Sequence, residues 1–134
     1  MCLYPKIPKE ILDASKKFSK QYPEFSLYEN WFNNGPESLI RELKPGWEKR
    51  LVQIFNGKKL KLKTLGRSDL LGSKLFAYCD RQEDFSDCIK FNPTLKELKS
   101  SLKWVQLLDA NTDWPAHCSV LFKALAKRLG YEWK

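Results

Sequence analysis

The sequence lacks any long run of apolar residues. In 134 residues, no stretch approaches the roughly 20 consecutive apolar residues that a transmembrane helix needs. The N-terminal stretch "MCLYPKIPKEIL" also lacks the basic start and apolar centre of a secretion signal. These two absences predict a cytoplasmic protein that does not span a membrane and whose thiols are reduced.

Metal-binding and nucleophilic residues are few and scattered. The chain has one histidine, His117, and its four cysteines show no C-x-x-C spacing. A zinc site would need ligands that converge from distant positions, and one histidine offers no catalytic triad. We therefore predict no zinc site and no cysteine or histidine catalysis. We expect His117 to lie at a helix start and Cys118 to be a buried, small side chain.

Basic residues are in clear excess. Lysine and arginine number 24 against 16 acidic residues, which gives a net charge of +8 and a pI near 9.3. This excess favours an anionic partner, either nucleic acid or a nucleotide phosphate. Many basic domains bind no such partner, so the charge alone leaves both interpretations open. Hydrophobic residues make up 43% of the chain, which predicts a folded protein.

The patterning predicts one α+β domain over residues 1–134, with helices and a β-hairpin in 1–66 and a helical subdomain in 67–134. Asn56-Gly57 predicts a type I′ turn between strands at about 49–55 and 58–65. The second strand alternates lysine with leucine, so one face should be buried and the other should carry a lysine row. That row would either protect an edge strand or contact phosphates.

Four to six helices should flank the hairpin, and the C-terminal half should be entirely helical. The start and stop signals are Pro8, Pro23, Pro36, Ser68 or Asp69, Thr94, Thr112 or Asp113, and Gly130. One predicted helix ends near Arg81, and a shorter one covers about Glu83 to Phe91. A two-stranded hairpin is weak alone, so either helices cover it or further strands join it.

Lys74 lies on the apolar face of the helix that ends near Arg81. Such a lysine usually extends its ammonium into water. An acidic segment follows it, however, with Asp84 and Asp87 at spacing i, i+3. If the two helices fold back on each other, Lys74 and one of these aspartates would meet beside a cleft, where the ammonium could bind a phosphate. The simpler interpretation of the aspartates is stabilising charge at a helix N-terminus.

The stretch "DLLGSKLFAYCDRQEDFSDC" resembles the second half of the abortive-infection (type IV toxin-like) group of nucleotidyltransferases, a group related to toxin–antitoxin systems. The matching residues are Asp69, Leu70, Leu71, Lys74, Leu75, Ala77, Arg81, Asp84 and Asp87. A longer part of the chain, from about Ile7 to Tyr131, is similar to an uncharacterised branch of the same superfamily. It includes "WFNNGPESLIREL", "GWEKRL" and "DANTDWPAHCSVLFKALAKRLGY".

The resemblance implies a partial nucleotidyltransferase-like fold with a nucleoside triphosphate as substrate and Mg²⁺ as cofactor. It implies that Lys74, Arg81, Asp84 and Asp87 lie on the phosphate or nucleotide side of the site. In this superfamily, the metal is held by a Gly-Ser turn followed by Asp-x-Asp or Asp-x-Glu on a strand, because two Mg²⁺ ions must clamp the reacting oxygens.

That metal-binding motif is absent from these 134 residues. Gly72-Ser73 cannot replace it, because a Gly-Ser turn inside a helix has no free N–H groups for phosphate. We therefore predict no metal ligands, no catalytic residue and no activity of the chain alone. Mg²⁺ and a nucleoside triphosphate would enter only if a partner half, such as an upstream-encoded one, completed the site. Self-association through an open sheet edge is a further expectation.

Two functions remain at this stage. The first is a truncated or degenerate nucleotidyltransferase-like protein that keeps nucleotide, phosphate or partner binding. The alternative is a small basic nucleic-acid-binding module with Trp47 or Tyr78 available for base stacking. Its phosphate contacts would come from Lys58, Lys59, Lys61, Lys63 and Arg67.

Overall fold

The computed structural model describes residues 6–134, except for the side chains at positions 36 and 37. It confirms the α+β class, with one hairpin, five α-helices and a helical C-terminal region in the described residues. The strands are β1 (Val52–Asn56) and β2 (Lys61–Thr64). The α-helices are α1 (Lys9–Gln21), α2 (Arg67–Arg81), α3 (Phe85–Phe91), α4 (Leu95–Val105) and α5 (Trp114–Arg128). Short 3₁₀ helices cover Pro23–Phe25, Gly35–Arg41 and Trp47–Arg50.

The described residues divide into two compact units, 6–43 and 44–134. In the first unit, α1 begins directly after Pro8, whose fixed φ suits a helix start. Ser15 of α1 is buried, and its carbonyl accepts the indole N–H of Trp31 at 3.0 Å. Rings of Phe18, Tyr22, Phe25 and Trp31 contact one another beside this bond.

The hairpin exists, but its predicted turn is wrong. Neither Asn56 nor Gly57 has a positive φ, so no type I′ turn forms at these residues. The corner instead falls at Lys58–Lys59 and is closed by the N–H of Gly57, which donates to the carbonyl of Leu60 at 2.8 Å. The ring of Phe55 lies over Gly57, where a Cβ would come within 2.7 Å of it. Gly57 therefore leaves room for the Phe55 ring, and its φ does not require glycine.

The prediction that one face of the hairpin is buried is also wrong. Both strands are exposed along nearly their whole length, and the leucines just before β2 and within it, Leu60 and Leu62, are 40% and 39% exposed. A register shift between Gln53 and Phe55 makes Ile54 a bulge residue without a partner on β2. In the described residues, no helix packs extensively against the hairpin and no further strand joins it.

The core of the second unit lies among α2, α4 and α5, with α3 at its side. Its fully buried side chains include Leu71, Leu75, Leu98, Phe122 and Leu125. α2 and α4 approach closely where Gly72 faces the ring of Trp104, at a distance that leaves no room for a Cβ. Burial of these apolar side chains supplies most of the stability of such a bundle.

Local signals set the ends of α4 and α5 as predicted. At the start of α4, Thr94 and Glu97 form a reciprocal capping box, in which each side chain bonds the other residue's backbone N–H. At the end of α5, Gly130 has φ +83°; its own N–H donates to the carbonyl of Lys127, and the N–H of Tyr131 donates to the carbonyl of Ala126. This is a Schellman motif, which glycine favours because it tolerates positive φ.

Candidate functional site

The corner between α2 and α3 brings the predicted lysine and both predicted aspartates together. The ammonium of Lys74 donates to Oδ1 of Asp84 and to Oδ2 of Asp87, each at 2.7 Å. The spacing of α2 places Lys74 on the side that faces α3, where Asp84, the residue before α3, and Asp87, in the first turn of α3, present their carboxylates to it. We call Lys74, Asp84 and Asp87 the α2–α3 cluster. All three side chains are partly exposed, at 32%, 22% and 44%.

The backbone at this corner takes an uncommon conformation. Gln82 ends α2 with φ 56°, and Asp84 precedes α3 with φ 61°. Both residues lie in the left-handed region, which costs free energy for a residue with a side chain, although less for aspartate. The two bonds to Lys74 tie this corner back to α2. The cluster therefore fixes the position of α3 as well as its own charges.

The charges of the α2–α3 cluster shift the pKa of two of its members. Burial acts against the ammonium of Lys74, but its bonds to Asp84 and Asp87 outweigh this, so the pKa of Lys74 is raised. The bond from Lys74 lowers the pKa of Asp87. By formal charge, the three side chains of the cluster carry one positive and two negative charges.

This arrangement restricts the chemistry that the cluster can perform alone. Two of the three ammonium protons of Lys74 are already donated, so only one remains for a ligand. The net charge of −1 opposes a free phosphate, whereas the second oxygens of Asp84 and Asp87 could accept hydroxyl groups, such as those of a ribose. We expected an ammonium that is available to bind phosphate. This expectation needs revision, because the ammonium of Lys74 is bonded to both aspartates.

The α2–α3 cluster does not fit a magnesium ion. The ammonium of Lys74 occupies the space between the two carboxylates that a divalent ion would need. Over residues 6–134, no group of three or more histidine, cysteine or acidic side chains could hold a metal. Gly72 and Ser73 lie within α2, and the hydroxyl of Ser73 donates to the carbonyl of Asp69. Gly72-Ser73 is therefore helical, as predicted, and does not form a phosphate-binding turn.

Arg81, the fourth residue that the resemblance placed at the site, takes part in other contacts. Its guanidinium bonds Glu83 at 3.2 Å and Asp80 at 3.4 Å, and its side chain is half exposed. These pairs lie at the surface, where such interactions contribute little. Arg81 is therefore near the α2–α3 corner in sequence without being bonded to the cluster.

An ion pair with a buried carboxylate was not anticipated from the sequence. Asp69, which we expected either to cap α2 or to match the motif, is almost fully buried and accepts two hydrogen bonds from Arg50, at 2.7 and 2.8 Å. Arg50 also donates to the carbonyls of Lys44 and Pro45. The pair thus joins the segment before the hairpin to the first turn of α2. The only signals for this pair in the sequence were that Asp69 precedes two leucines and that "GWEKRL" contains an arginine, Arg50.

The lysine row of the hairpin is exposed. Lys58, Lys59, Lys61 and Lys63 form no ion pair with a described residue, and the segment 51–66 contains no acidic residue. Arg67 is different, because its guanidinium bonds Glu97 at 2.7 Å and lies 4.7 Å from the centre of the Phe91 ring. It joins α2 to α4 while the four lysines remain open to an anion.

The aromatic residues considered for base stacking are not equally available. Tyr78 is buried, and its ring packs on that of Phe85 at 5.4 Å, so the expectation that it could stack on a base is wrong. Its position on the core-facing side of α2 explains this burial. Trp47 is half-buried.

The described cysteines are poor nucleophiles. Cys79, Cys88 and Cys118 are free and buried, and burial raises the pKa of all three thiols, that of Cys88 to about 11. Because the thiolate is the reactive form, such thiols are unreactive at neutral pH. The ring of His117 contacts the carbonyl of Cys79 at 2.9 Å, which ties the start of α5 to α2.

No family model, curated protein or solved structure matches this chain. The resemblance to nucleotidyltransferases therefore rests on the motif residues and stays a prediction. None of the helices formed by the described residues has the length and apolarity to cross a membrane.

Proposed function

We propose that this protein is a nucleotidyltransferase-like component in which the α2–α3 cluster faces the nucleotide, and that it does not transfer nucleotides by itself. One observation carries the proposal. The ammonium of Lys74 lies 2.7 Å from a carboxylate oxygen of Asp84 and of Asp87, which follow it by 10 and 13 residues. Charged residues that only keep a surface solvated would not need to converge in this way at a corner with two left-handed residues. The motif lacks metal ligands of its own, so these would have to come from another polypeptide or segment.

The net charge of the cluster determines how such a protein would bind a nucleotide. With one free ammonium proton and a charge of −1, the chain alone should bind a triphosphate weakly, with a dissociation constant of roughly millimolar order. The aspartates orient the ammonium of Lys74 and can accept ribose hydroxyl groups. Tight binding would then require positive charge from the component that completes the site.

The test is a set of NMR titrations of the full chain with ATP, GTP, CTP and UTP. We expect at least one nucleotide to shift the backbone signals of Lys74, Asp84 and Asp87. Lys74→Met should abolish these shifts, whereas Lys123→Met, which removes an exposed lysine of α5, should not. Asp87→Asn should strengthen binding, because it keeps an acceptor for Lys74 while it brings the cluster to neutrality.

Three results would overturn this proposal. The first is that none of the four nucleotides perturbs the cluster at millimolar concentration. The second is that Lys123→Met weakens binding as much as Lys74→Met, which would mean that net charge alone is responsible. The third is Mg²⁺-dependent incorporation of a labelled nucleotide by the purified chain, which would contradict the proposed lack of activity.

A second candidate function is favoured by the exposed lysine row of the hairpin. Lys58, Lys59, Lys61 and Lys63 could contact the phosphates of a nucleic acid without breaking any ion pair. Binding of labelled single-stranded RNA or DNA should then weaken steeply with salt, because each phosphate contact releases counterions. Replacing these four lysines with glutamine should flatten the salt dependence.

A control variant of equal net charge separates a local site from overall charge. It replaces four helical lysines, at positions 96, 99, 103 and 127, with glutamine. If the hairpin is the site, this variant keeps the affinity that the hairpin variant loses. Equal losses in both variants, or no binding at low salt, would remove the nucleic-acid function.

A further inference from the structure

The bulge at Ile54 determines which side chains share a face of the hairpin. In a regular strand, Gln53 and Asn56 would point to opposite faces, because they are three residues apart. Here Gln53 pairs with Lys63, and Asn56 pairs with Lys61. The two lysines are two residues apart and point to the same face of β2, so the bulge brings both amides to that face as well. We call Gln53, Asn56, Lys61 and Lys63 the amide–lysine face.

The amide–lysine face is open to a ligand. Its four side chains are exposed, and none of them has a hydrogen bond or an ion pair with a described residue. Lys58 and Lys59 add two charges at the corner, and no acidic residue lies in the segment 51–66. The opposite face is apolar and carries Phe55 and Leu62. The amide–lysine face therefore offers ammonium groups to phosphates, and amides that both donate and accept hydrogen bonds.

These properties match the major groove of duplex DNA. The groove admits a two-stranded β-ribbon, and an asparagine or glutamine in it can bond both N6 and N7 of an adenine. Lysines contact the phosphates and hold the protein in register on the duplex. Lys61 and Lys63 lie about 7 Å apart along β2, which is about two base-pair steps of roughly 3.4 Å. Their register partners Gln53 and Asn56 have the same spacing, so each amide can reach a different base pair.

Other anionic partners fit the amide–lysine face less well. Proteins that bind single strands stack the bases on aromatic rings, and the ring of Phe55 lies on the opposite face. The major groove of duplex RNA is too deep and narrow for side chains to read. An acidic protein would pair with the lysines but would leave the two amides without a role.

We propose that the hairpin enters the major groove of duplex DNA, with its four lysines on phosphates and with Gln53 and Asn56 on the edges of adenines. The proposal rests on the nucleic-acid function of the hairpin lysines, and it adds the kind of nucleic acid and the two residues that read its bases. It is independent of the α2–α3 cluster, because a chain that binds no nucleotide would still bind DNA in this way.

Fluorescence anisotropy with labelled oligonucleotides of equal length tests the proposal. The first is a DNA duplex rich in A·T pairs. The second is the same duplex with each adenine replaced by 7-deazaadenine, which keeps base pairing and charge but lacks the N7 acceptor in the major groove. One strand of the first duplex and an RNA duplex complete the set. We expect the wild-type chain to bind the first duplex roughly tenfold or more tightly than each of the others.

A matched pair of variants separates base reading from charge. Gln53→Ala combined with Asn56→Ala should bind the two DNA duplexes equally and keep the salt dependence of the wild-type chain, because the lysines remain. Val52→Ala combined with Leu62→Ala truncates two side chains on the opposite face of the same strands. This control should bind every oligonucleotide as the wild-type chain does.

The possible failures are distinguishable. If the wild-type chain binds both DNA duplexes equally, or binds the single strand as tightly as the duplex, the groove proposal is overturned while the nucleic-acid function of the lysines stands. Equal losses in the amide variant and in the opposite-face control would also overturn it, because the amides would then have no specific role. If no nucleic acid binds at low salt, the nucleic-acid function and the groove proposal both fail.

Discussion

Replacing Glu97 with glutamine tests how the first turn of α4 is held against α2. The carboxylate of Glu97 accepts from Nε of Arg67 at 2.7 Å and from the backbone N–H of Thr94 at 2.8 Å. The bond from Arg67, followed by the N–H of Thr94, lowers the pKa of Glu97 from 4.5 to about 2. Glutamine can still accept from Thr94 in a capping box, so Glu97→Gln removes the charge and leaves the cap.

The size of the effect follows from this pKa and from exposure. A pKa lowered from 4.5 to about 2 corresponds to at most ~3.4 kcal/mol of folding stability. The side chains of Arg67 and Glu97 are 54% and 29% exposed, however, so solvent screening reduces the contribution to about 1 kcal/mol. We therefore expect Glu97→Gln to lower the free energy of unfolding by about 1 kcal/mol at pH 7.

The stability difference between the wild-type chain and Glu97→Gln should depend on pH in one direction only. A carboxylate whose pKa is lower in the folded chain stabilises it fully above its unfolded pKa, here about 4.5. That stabilisation is lost as the pH falls from 4.5 towards 2. The difference between the wild-type chain and Glu97→Gln should therefore be constant above about pH 5.5 and shrink steadily below it.

Urea unfolding followed by tryptophan fluorescence, repeated between pH 7 and pH 3, measures this difference. Glu132→Gln serves as the control, because Glu132 is 86% exposed and its pair with Lys134 is long, at 3.8 Å. That variant should unfold like the wild-type chain at every pH. A difference for Glu97→Gln that is absent at pH 7, or that does not change with pH, would refute the reasoning.

Three further outcomes follow from the packing of the second unit. Gly72→Ala should destabilise the chain by about 1 kcal/mol despite its gain of helix propensity, because a Cβ would lie 2.8 Å from the Trp104 ring; higher stability in urea would show that α2 and α4 are farther apart. Trp114→Phe should cost about 2 kcal/mol, since the carbonyl of Val105 loses its buried indole donor; an unchanged urea midpoint would contradict this bond. Cys88 should resist iodoacetamide at pH 8 until urea unfolds the chain, and rapid labelling in peptide mass spectra would contradict its burial.

Where short-range interactions decide the structure, the sequence alone was sufficient to predict it. The start of α4 depends on Thr94 and Glu97, three residues apart, and the end of α5 depends on Gly130 and the turn before it. Helical periodicity located α2, and it placed Lys74 on a face that could meet the acidic segment after the corner. Such signals are readable because both partners lie within one or two helical turns.

Contacts between distant residues decided what the sequence left open. Asp69 became a buried partner of Arg50, 19 residues away, rather than a cap, and Lys74 took both aspartates rather than one. In the hairpin, the turn lies at Lys58–Lys59 rather than at Asn56-Gly57, and a bulge at Ile54 interrupts the pairing of the two strands. The residue pattern identified the α+β class, several element ends and the residues of the cluster. Only tertiary packing decided which charges pair and which strand face stays exposed, because both depend on elements that meet in space rather than along the chain.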